Sequence, residues 1–388
     1  MFSDRNYQIN LLQLRERSCI IEMKKIFFGI LILLILVQSA VFAQGEGMCL
    51  MNAVTGEVVL GHNMHKKLPP ASTTKIMTAI IALENSNLYD VVTMSNDAVR
   101  SEGSSTYAKG GDKLYMEDVL FGLMLNSGND AAYAIAQTIS KSQEDFAKLM
   151  TEKAHETGAK NTHFINPSGL PHDEHYTTAY DLALIASYAM KNKKFAEIVS
   201  AKTHKVWLIN RPENVLKFSN HNKLLNMYEG CIGIKTGFTK KAGRCLVSAC
   251  EREGMKYIVV TLNDPDDWNN HMKMYDYAYA NSKPVKAVEK DEVIRRCDDG
   301  TFVAEEDFII PSLKSEKTDV EVVVNIPQKI DKPINKYEKV GYLSIIYNEK
   351  EIGRVNIISD SDMYGNGEIN SEKSFIIHLK NLFLRFSV

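Results

Sequence analysis

Apolar residues change their spacing several times along this chain, and the order of these changes constrains the fold most. Residues 50–60 read as two short strands around a Thr-Gly turn. Helical spacing then predicts helices at 72–84, 116–125, 131–139, 143–156 and 178–190. Strand-like runs return at 231–235, 244–250 and 257–262, before a last helical pattern at 266–280. This order predicts an α/β (α+β) fold, with an antiparallel sheet covered by a cluster of helices.

The composition changes after the last of these helices. Residues 320–326, 341–347 and 352–358 are rich in β-branched side chains, and the last two runs are spaced to form a hairpin. We therefore expect a main domain over residues 44–283 and a small β-rich domain over 284–370.

The N-terminus carries the features of a secretory signal. Lys24 and Lys25 precede an apolar run, Ile26–Val37, and the third-last and last positions before the expected cleavage are the apolar Val41 and the small Ala43. The run is shorter than the roughly 20 residues that a membrane-spanning helix needs. We expect residues 1–43 to be a signal region cleaved after Ala43, with Met23 as an alternative start; the competing interpretation is an uncleaved anchor. Export would place the protein on the extracytoplasmic face of the cell membrane.

The C-terminal segment, residues 371–388, has one apolar stripe at helical spacing. The stripe consists of Phe375, Ile376, Leu379, Leu382, Phe383 and Phe386. Lys373, Lys380 and Arg385 lie off the stripe. This pattern predicts an amphipathic helix that lies on a membrane surface, and the alternative is a helix packed on its own domain.

Charge and cysteine content narrow the classes of partner. The formal net charge of -2 gives no reason to expect a nucleic acid. Five cysteines follow the signal region, an odd number without metal-type spacing, and we expect no metal and no cofactor. Buried free thiols are the expected state, although Cys231 and Cys245 flank a predicted hairpin and would be able to face each other.

The first chemical motif is Ser-x-x-Lys. Ser72 and Lys75 lie one helical turn apart, so their side chains share a face. A serine hydroxyl becomes a nucleophile when a nearby base takes its proton, and lysine is a base only with a lowered pKa. The apolar run after Lys75 predicts such burial. The alternative is a serine cap with a surface lysine.

The second motif is Ser-Gly-Asn, in a break between two apolar helices. Ser127 is placed to relay a proton to a leaving amine, and Asn129 to hold a substrate amide or Lys75. An ordinary turn is the alternative.

The third motif, Lys-Thr-Gly, comes at the end of a predicted apolar strand. Lys235 and Thr236 would bind a substrate carboxylate, while Gly237 lets a substrate backbone approach the strand edge. The backbone N–H groups of Phe238 and Ser72 are candidate oxyanion-hole donors. The alternative is a strand-end turn with a solvated lysine.

Together these motifs resemble serine peptidase family S11, the low-molecular-weight D-alanyl-D-alanine carboxypeptidases. The resembling stretches include Pro70–Ala79, Ser127–Ala132, Asn166–Leu170 and Ile234–Thr239. Similarity runs from about Cys49 to Asn281, and the later β domain and tail fit the family's layout less specifically. The resemblance implies a β-lactamase/transpeptidase-like domain. Many relatives carry His or Tyr where Phe238 stands, which puts a side-chain role there in doubt.

The resemblance also implies a mechanism. Ser72 would attack the penultimate D-alanine of a peptidoglycan stem peptide, with Lys75 as base. Ser127 would help protonate the departing D-alanine, whose carboxylate Lys235 and Thr236 would hold. Water would then hydrolyse the acyl-enzyme, and β-lactams would act as inhibitors.

Several other functions compete with this one. A class A β-lactamase needs a deacylating glutamate, and residues 155–170 contain no Glu-x-x-Leu-Asn pattern. A transpeptidase or endopeptidase is chemically adjacent and stays open. A zinc peptidase is disfavoured because the histidine pairs at 62 and 65 and at 172 and 175 lack the His-Glu-x-x-His pattern. A non-enzymatic wall-binding protein would not need all three motifs.

Overall fold

Five antiparallel strands form the central sheet. The computed structural model describes residues 45–140, 142–297, 300–313, 320–326, 333–363 and 376–379. The strands up to Leu262 are β1 (Gly47–Asn52), β2 (Val58–His62), β3 (Val91–Thr93), β4 (Lys113–Tyr115), β5 (Thr203–Leu208), β6 (Arg211–Ser219), β7 (Cys231–Thr239), β8 (Gly243–Arg252) and β9 (Met255–Leu262). The central sheet has the order β2-β1-β9-β8-β7, so β7 lies at an edge.

Seven of the described helices lie between β2 and β5, and two follow β6. They are α1 (Lys75–Asn85), α2 (Asn96–Val99), α3 (Met116–Leu125), α4 (Asn129–Ile139), α5 (Gln143–Glu156), α6 (Ala179–Ala189), α7 (Lys193–Ser200), α8 (Leu224–Met227) and α9 (Asp267–Asn281). A 3₁₀ turn, Ala71–Thr74, leads directly into α1. The helices predicted between residues 72 and 280 are all present, and the predicted fold class is confirmed.

The central sheet packs on both faces, as β8 illustrates. Cys245, Val247 and Ala249 belong to the core that the sheet shares with the helical cluster. Because neighbouring residues of a strand point to opposite faces, Ser248 points the other way. Its hydroxyl lies 2.6 Å from His271 Nδ1 on α9. The sheet therefore lies between the helical cluster and α9.

The C-terminal part of the described chain is all-β. Its strands are β10 (Ser282–Val288), β11 (Val293–Cys297), β12 (Gly300–Ala304), β13 (Phe308–Leu313), β14 (Val320–Asn325), β15 (Lys339–Tyr347), β16 (Lys350–Ser359) and β17 (Ile376–Leu379). Six of them form one sheet in the order β11-β12-β16-β15-β14-β17, and β10 pairs with β13. A second apolar core includes the fully buried Phe302. The predicted β-rich region is confirmed, while its boundaries stay predictions.

The predicted C-terminal helix is wrong for Ile376–Leu379, which form β17. This strand pairs antiparallel with β14, with Ile377 opposite Val322. The outer edge of β14 offers backbone groups to a further strand, and a short apolar run does not by itself distinguish a helix from a strand. The rest of the predicted tail and the signal region lie outside the described residues. No described helix combines the length and apolar character needed to cross a membrane.

The cysteines are arranged differently from the pairing considered above. Cys231 lies opposite Cys250 in the β7–β8 register, whereas Cys245 lies opposite Gly237. Cys245 also faces the helical cluster together with Cys49, so Cys231 and Cys245 do not face each other. These four cysteines are free thiols, and all but the half-buried Cys231 are buried.

Candidate active site

Ser72 and Lys75 occupy the 3₁₀ turn and the first position of α1. The Lys75 Nζ atom lies 3.0 Å from the Ser72 Oγ atom. Ser72 is half-buried, whereas Lys75 is fully buried. Ala71, just before the serine, has a φ of 49°, a left-handed conformation that costs energy for a residue other than glycine. The turn thus holds the hydroxyl beside a buried amine.

Two further acceptors surround the Lys75 amine. Its Nζ atom lies 2.7 Å from Asn129 Oδ1 and 2.7 Å from the Ser168 carbonyl oxygen. Burial, and then the charge of Lys235, lower the pKa of Lys75 well below its usual value, which favours the neutral amine. A neutral amine has two N–H groups and one lone pair. The two fixed oxygens take the N–H groups, and the lone pair is left for the Ser72 hydroxyl.

The Ser-Gly-Asn motif joins α3 to α4, as its position between two helical patterns predicted. Ser127 is buried and has a φ of 58°. Asn129 is the first residue of α4, where its side chain meets Lys75 and its amide nitrogen also contacts the Glu102 carbonyl. The structure therefore brings Asn129 into direct contact with Lys75 and places Ser127 two residues away.

The Lys-Thr-Gly motif lies in the middle of β7, not at the end of a strand as predicted. The strand continues to Thr239 because residues 236–239 keep their pairing with β8. Lys235 is buried, and its Nζ atom donates to the Thr236 carbonyl oxygen at 2.9 Å. Burial lowers the pKa of Lys235 to about 7. The motif thus supplies a cation that can lose its proton near neutral pH.

Gly237 brings β7 against the turn that carries Ser72. A Cβ atom at Gly237 would lie 3.0 Å from the Ser72 backbone nitrogen and 3.1 Å from that of Thr73. These are backbone atoms that have little room to move. The Phe238 side chain is exposed, with 66% of its surface accessible. The oxyanion role of the Phe238 N–H stays a prediction, and the close approach requires glycine at position 237.

The loop around Ser168 supplies site residues to which the sequence analysis gave no role. Asn166 Oδ1 accepts from the backbone N–H groups of Ser168, Gly169 and Leu170. Gly169 has a φ of 86°, and a Cβ atom there would lie 1.8 Å from the Ala71 carbonyl oxygen. The stretch Asn166–Leu170 was among those that resemble the family, which was its only signal. The hydrogen bonds of Asn166 hold this loop so that the Ser168 carbonyl oxygen lies within hydrogen-bond distance of Lys75 Nζ.

His175 ties this loop to the turn before α1. Its Nε2 atom lies 2.9 Å from Thr74 Oγ1, and its Nδ1 atom accepts from the Ile165 N–H at 3.1 Å. Burial lowers the pKa of His175 to about 3, so the ring is neutral. Both ring nitrogens are engaged within the protein, which is a structural role.

The buried carboxylate of Asp130 holds the start of α4, where Asn129 lies, against the loop that contains Ser105 and Thr106. Asp130 accepts from the Thr106 N–H at 2.9 Å, from the Thr106 hydroxyl at 2.7 Å and from the Ser105 hydroxyl at 2.8 Å. The Asn129 N–H donates to the Ser104 carbonyl oxygen at 2.7 Å. The first turn of α4 is therefore bound to the loop that precedes β4.

A serine hydroxyl within hydrogen-bond distance of a buried lysine, beside a sheet edge, is typical of a class of serine hydrolases. Residues 38–266 match peptidase family S11, described as D-alanyl-D-alanine carboxypeptidase. Residues 281–364 match the C-terminal domain of penicillin-binding protein 5. The chain belongs to the D-alanyl-D-alanine carboxypeptidase family S11, and it is a serine-type carboxypeptidase of that class.

Curated relatives cover most of the chain. It is 28% identical to the D-alanyl-D-alanine carboxypeptidase DacF of Bacillus subtilis over 342 residues, which are 84% of this chain and 87% of the relative. It is 33% identical to DacB2 of Mycobacterium tuberculosis over 234 residues, 58% of this chain and 79% of the relative. The first alignment extends well beyond the sheet-and-helix domain.

Solved structures show the same relationship. A variant of the Streptomyces K15 DD-transpeptidase matches with a TM-score of 0.59 and 33% identity, over 61% of this chain and 98% of that one. The D-alanyl-D-alanine carboxypeptidase DacD of Francisella tularensis matches with a TM-score of 0.58 and 26% identity, over 83% of this chain and 94% of that one.

Proposed function

We propose that this protein removes the terminal D-alanine from peptidoglycan stem peptides through an acyl-enzyme on Ser72. The observation that carries this proposal is the 3.0 Å contact between Lys75 Nζ and Ser72 Oγ. The other two neighbours of the amine are oxygen acceptors, so a neutral Lys75 directs its lone pair at the serine.

Acylation begins with proton transfer from Ser72 to Lys75. The serine oxygen attacks the carbonyl carbon of the penultimate D-alanine, and negative charge develops on the carbonyl oxygen. The backbone N–H groups of Ser72 and Phe238 stabilise that charge, and one such donor contributes about 10²–10³-fold to a rate. The approach of Gly237 to the Ser72 turn supports this arrangement, because it places the two backbone segments side by side.

Collapse of the tetrahedral intermediate expels the terminal D-alanine as an amine. Ser127 delivers a proton to this nitrogen; its position two residues before Asn129, whose side chain contacts Lys75, supports this role. Protonated Lys235 and Thr236 hold the carboxylate of the leaving D-alanine. A carboxylate in this buried site compensates for the desolvation of the Lys235 ammonium, so binding favours the charged amine.

Hydrolysis of the acyl-enzyme uses water activated by Lys75. Within the described residues this amine is hydrogen-bonded to Ser72, Asn129 and the Ser168 carbonyl. Residues 155–170 also lack the Glu-x-x-Leu-Asn pattern of a glutamate-dependent β-lactamase. A β-lactam would acylate Ser72 in the same way and act as an inhibitor. Transpeptidation is the second candidate, because the chain resembles the K15 DD-transpeptidase and an acceptor amine can replace water in this step.

The place of action is also a proposal. Lys24 and Lys25, the apolar run Ile26–Val37 and Ala43 form a signal-like segment. The proposed substrate lies outside the cell membrane, which agrees with export of the chain. This location would be tested by adding protease to cells whose wall has been removed but whose membrane is intact. Full protection of the protein from digestion would refute it.

The experiment that tests the activity is release of D-alanine from a purified pentapeptide ending in D-Ala-D-Ala. The Ser72→Ala variant should release none, whereas Ser200→Ala, which changes an exposed serine at the end of α7, should match the unchanged protein. Labelled penicillin should attach to the peptide that contains Ser72. Label on another serine, or D-alanine release by Ser72→Ala, would overturn the proposal.

A further inference from the structure

Two cysteines lie directly opposite each other on neighbouring strands. Cys231 on β7 and Cys250 on β8 are register partners, just before a shift in the register between Cys231 and Gly233. The Glu251 N–H donates to the Gly230 carbonyl oxygen at 2.8 Å. In an antiparallel ladder, that bond makes residues 230 and 251 a hydrogen-bonded pair and makes the adjacent Cys231 and Cys250 a non-hydrogen-bonded pair.

This pair type brings the two side chains close together. In non-hydrogen-bonded pairs the Cα atoms are about 4.5 Å apart, which falls inside the range of about 4.4–6.8 Å found in disulfides. Both thiols also approach the same phenol on α9. Burial, and then the Cys231 and Cys250 thiols, raise the pKa of Tyr275. The two sulfur atoms therefore lie on one face of the sheet.

In the reduced protein each thiol is directed at a carbonyl oxygen. Cys231 Sγ lies 3.5 Å from the Gly233 oxygen, and Cys250 Sγ lies 3.4 Å from the Glu229 oxygen. Formation of a disulfide requires rotation about χ1 of each cysteine, which turns the sulfur atoms away from these oxygens and toward each other. Cys49 and Cys245 belong to the core on the opposite face, so neither competes for this pairing.

We propose that Cys231 and Cys250 are a disulfide-forming site that links β7 to β8, four residues before Lys235. The oxidant is an external disulfide, such as oxidised glutathione. One cysteine sulfur displaces a thiol from the external disulfide, and the second cysteine sulfur then displaces the other. The protein loses two protons and two electrons, and the external disulfide takes them up to become two thiols.

The packed thiols determine when this reaction occurs. Burial raises the pKa of Cys231 to about 12 and also raises that of Cys250, and the reacting species is the thiolate. Exchange in the folded protein is therefore slow at neutral pH. We therefore expect the disulfide to form during folding, while the two thiols are still accessible to the oxidant.

The crosslink would brace the edge of the central sheet. Among the strands of that sheet, β7 pairs only with β8, and its middle carries the residues that face the Ser72 turn. A covalent link at Cys231 limits fraying of β7 from β8 on the side before Lys235. The inference does not depend on the proposed chemistry of Ser72, because it concerns stability and thiol reactivity.

The test is refolding of the full chain from urea in a mixture of reduced and oxidised glutathione, followed by alkylation and peptide mapping. We expect a linked peptide containing Cys231 and Cys250, with Cys49 and Cys245 alkylated. The oxidised protein should unfold roughly 4–8 °C above the same sample treated with dithiothreitol. Cys245→Ser should keep this difference, whereas Cys250→Ser should abolish it.

A folded, oxidised sample in which Cys231 and Cys250 are both alkylated, or are linked to other cysteines, would overturn the inference. If refolding gives no folded protein, the native chain is oxidised with diamide at pH 9, where exchange is faster, and mapped in the same way. D-alanine release measured on the same samples keeps the two proposals separate. A missing disulfide in an active enzyme contradicts only this inference.

Discussion

Lys235 should distinguish a terminal carboxylate from a terminal carboxamide only while its amine is protonated. The side chain is buried in β7, and burial lowers its pKa to about 7. Below that pH most of the free enzyme carries an ammonium group in the proposed carboxylate site, and above it the amine is mostly neutral. The experiment therefore changes two variables. One is the terminal group of the substrate, where an uncharged amide replaces the carboxylate, and the other is the pH.

The expected preference for the carboxylate peptide follows from the charged contact between the Lys235 ammonium and the substrate carboxylate. A hydrogen bond to a charged group contributes about 1.5–3 kcal/mol, which corresponds to roughly 10–150-fold in kcat/KM at 25 °C. At pH 9 only about 1% of free Lys235 would be protonated, given a pKa of about 7. The preference for the carboxylate should then fall to a few-fold or less. The ionisation of Lys75 affects both peptides and cancels in their ratio.

The assay compares two peptides that differ only in the terminal group, with release of D-alanine or D-alaninamide followed from pH 5.5 to 9. The ratio of kcat/KM values reports the free enzyme. Lys235→Ala is the matched control, and its ratio should stay near one at every pH. A ratio that does not change with pH in the unchanged protein, or the same inflection in Lys235→Ala, would refute the assignment.

The remaining predictions concern other parts of the chain. Lys75→Ala should abolish penicillin acylation at every pH tested, and acylation that returns at alkaline pH would contradict its role as base. Gly237→Ala should slow acylation about 10²–10³-fold in stopped-flow measurements, because the added methyl group pushes β7, which carries the Phe238 N–H, away from the Ser72 N–H. An unchanged rate would contradict the proposed oxyanion role of these two groups. Asn166→Ala removes the hydrogen bonds that hold the loop of Ser168, and it should lower kcat more than it raises KM. A change in KM alone would argue against a role of this loop in positioning Lys75. Phe302→Ala should lower the free energy of unfolding by about 3–5 kcal/mol in urea melts without changing penicillin acylation, and lost acylation would show that the two cores depend on each other.

The helices and the three motifs were readable from the sequence because their signals are local. The 3.6-residue period of the apolar positions in α3, α4 and α5 depends only on neighbours along the chain. Ser72 and Lys75 are three residues apart, so the helical turn itself brings them together. The hairpin of β5 and β6 was not predicted, because β6 is polar and largely exposed and lacks the alternating pattern.

The partners of Lys75 were decided by tertiary structure. The Ser168 carbonyl is 93 positions from Lys75 in sequence and Asn129 is 54 positions away. The sequence analysis considered Asn129 as a partner, but a backbone carbonyl is present in every residue and carries no sequence signal. Only the packing of the loop against the turn before α1 selects Ser168.

Strand register is the other property that the sequence left open. The register of β7 with β8 decides that Cys231 lies opposite Cys250 and not opposite Cys245. A shift of the register by one residue would move a side chain to the other face of the sheet. The same dependence on a partner strand decided the tail, where the edge of β14 made Ile376–Leu379 a strand. The sequence by itself indicated the family, the helices between residues 72 and 280 and the three motifs. Tertiary structure decided the register, the acceptors around Lys75 and the conformation of Ile376–Leu379, because each depends on contacts between distant parts of the chain.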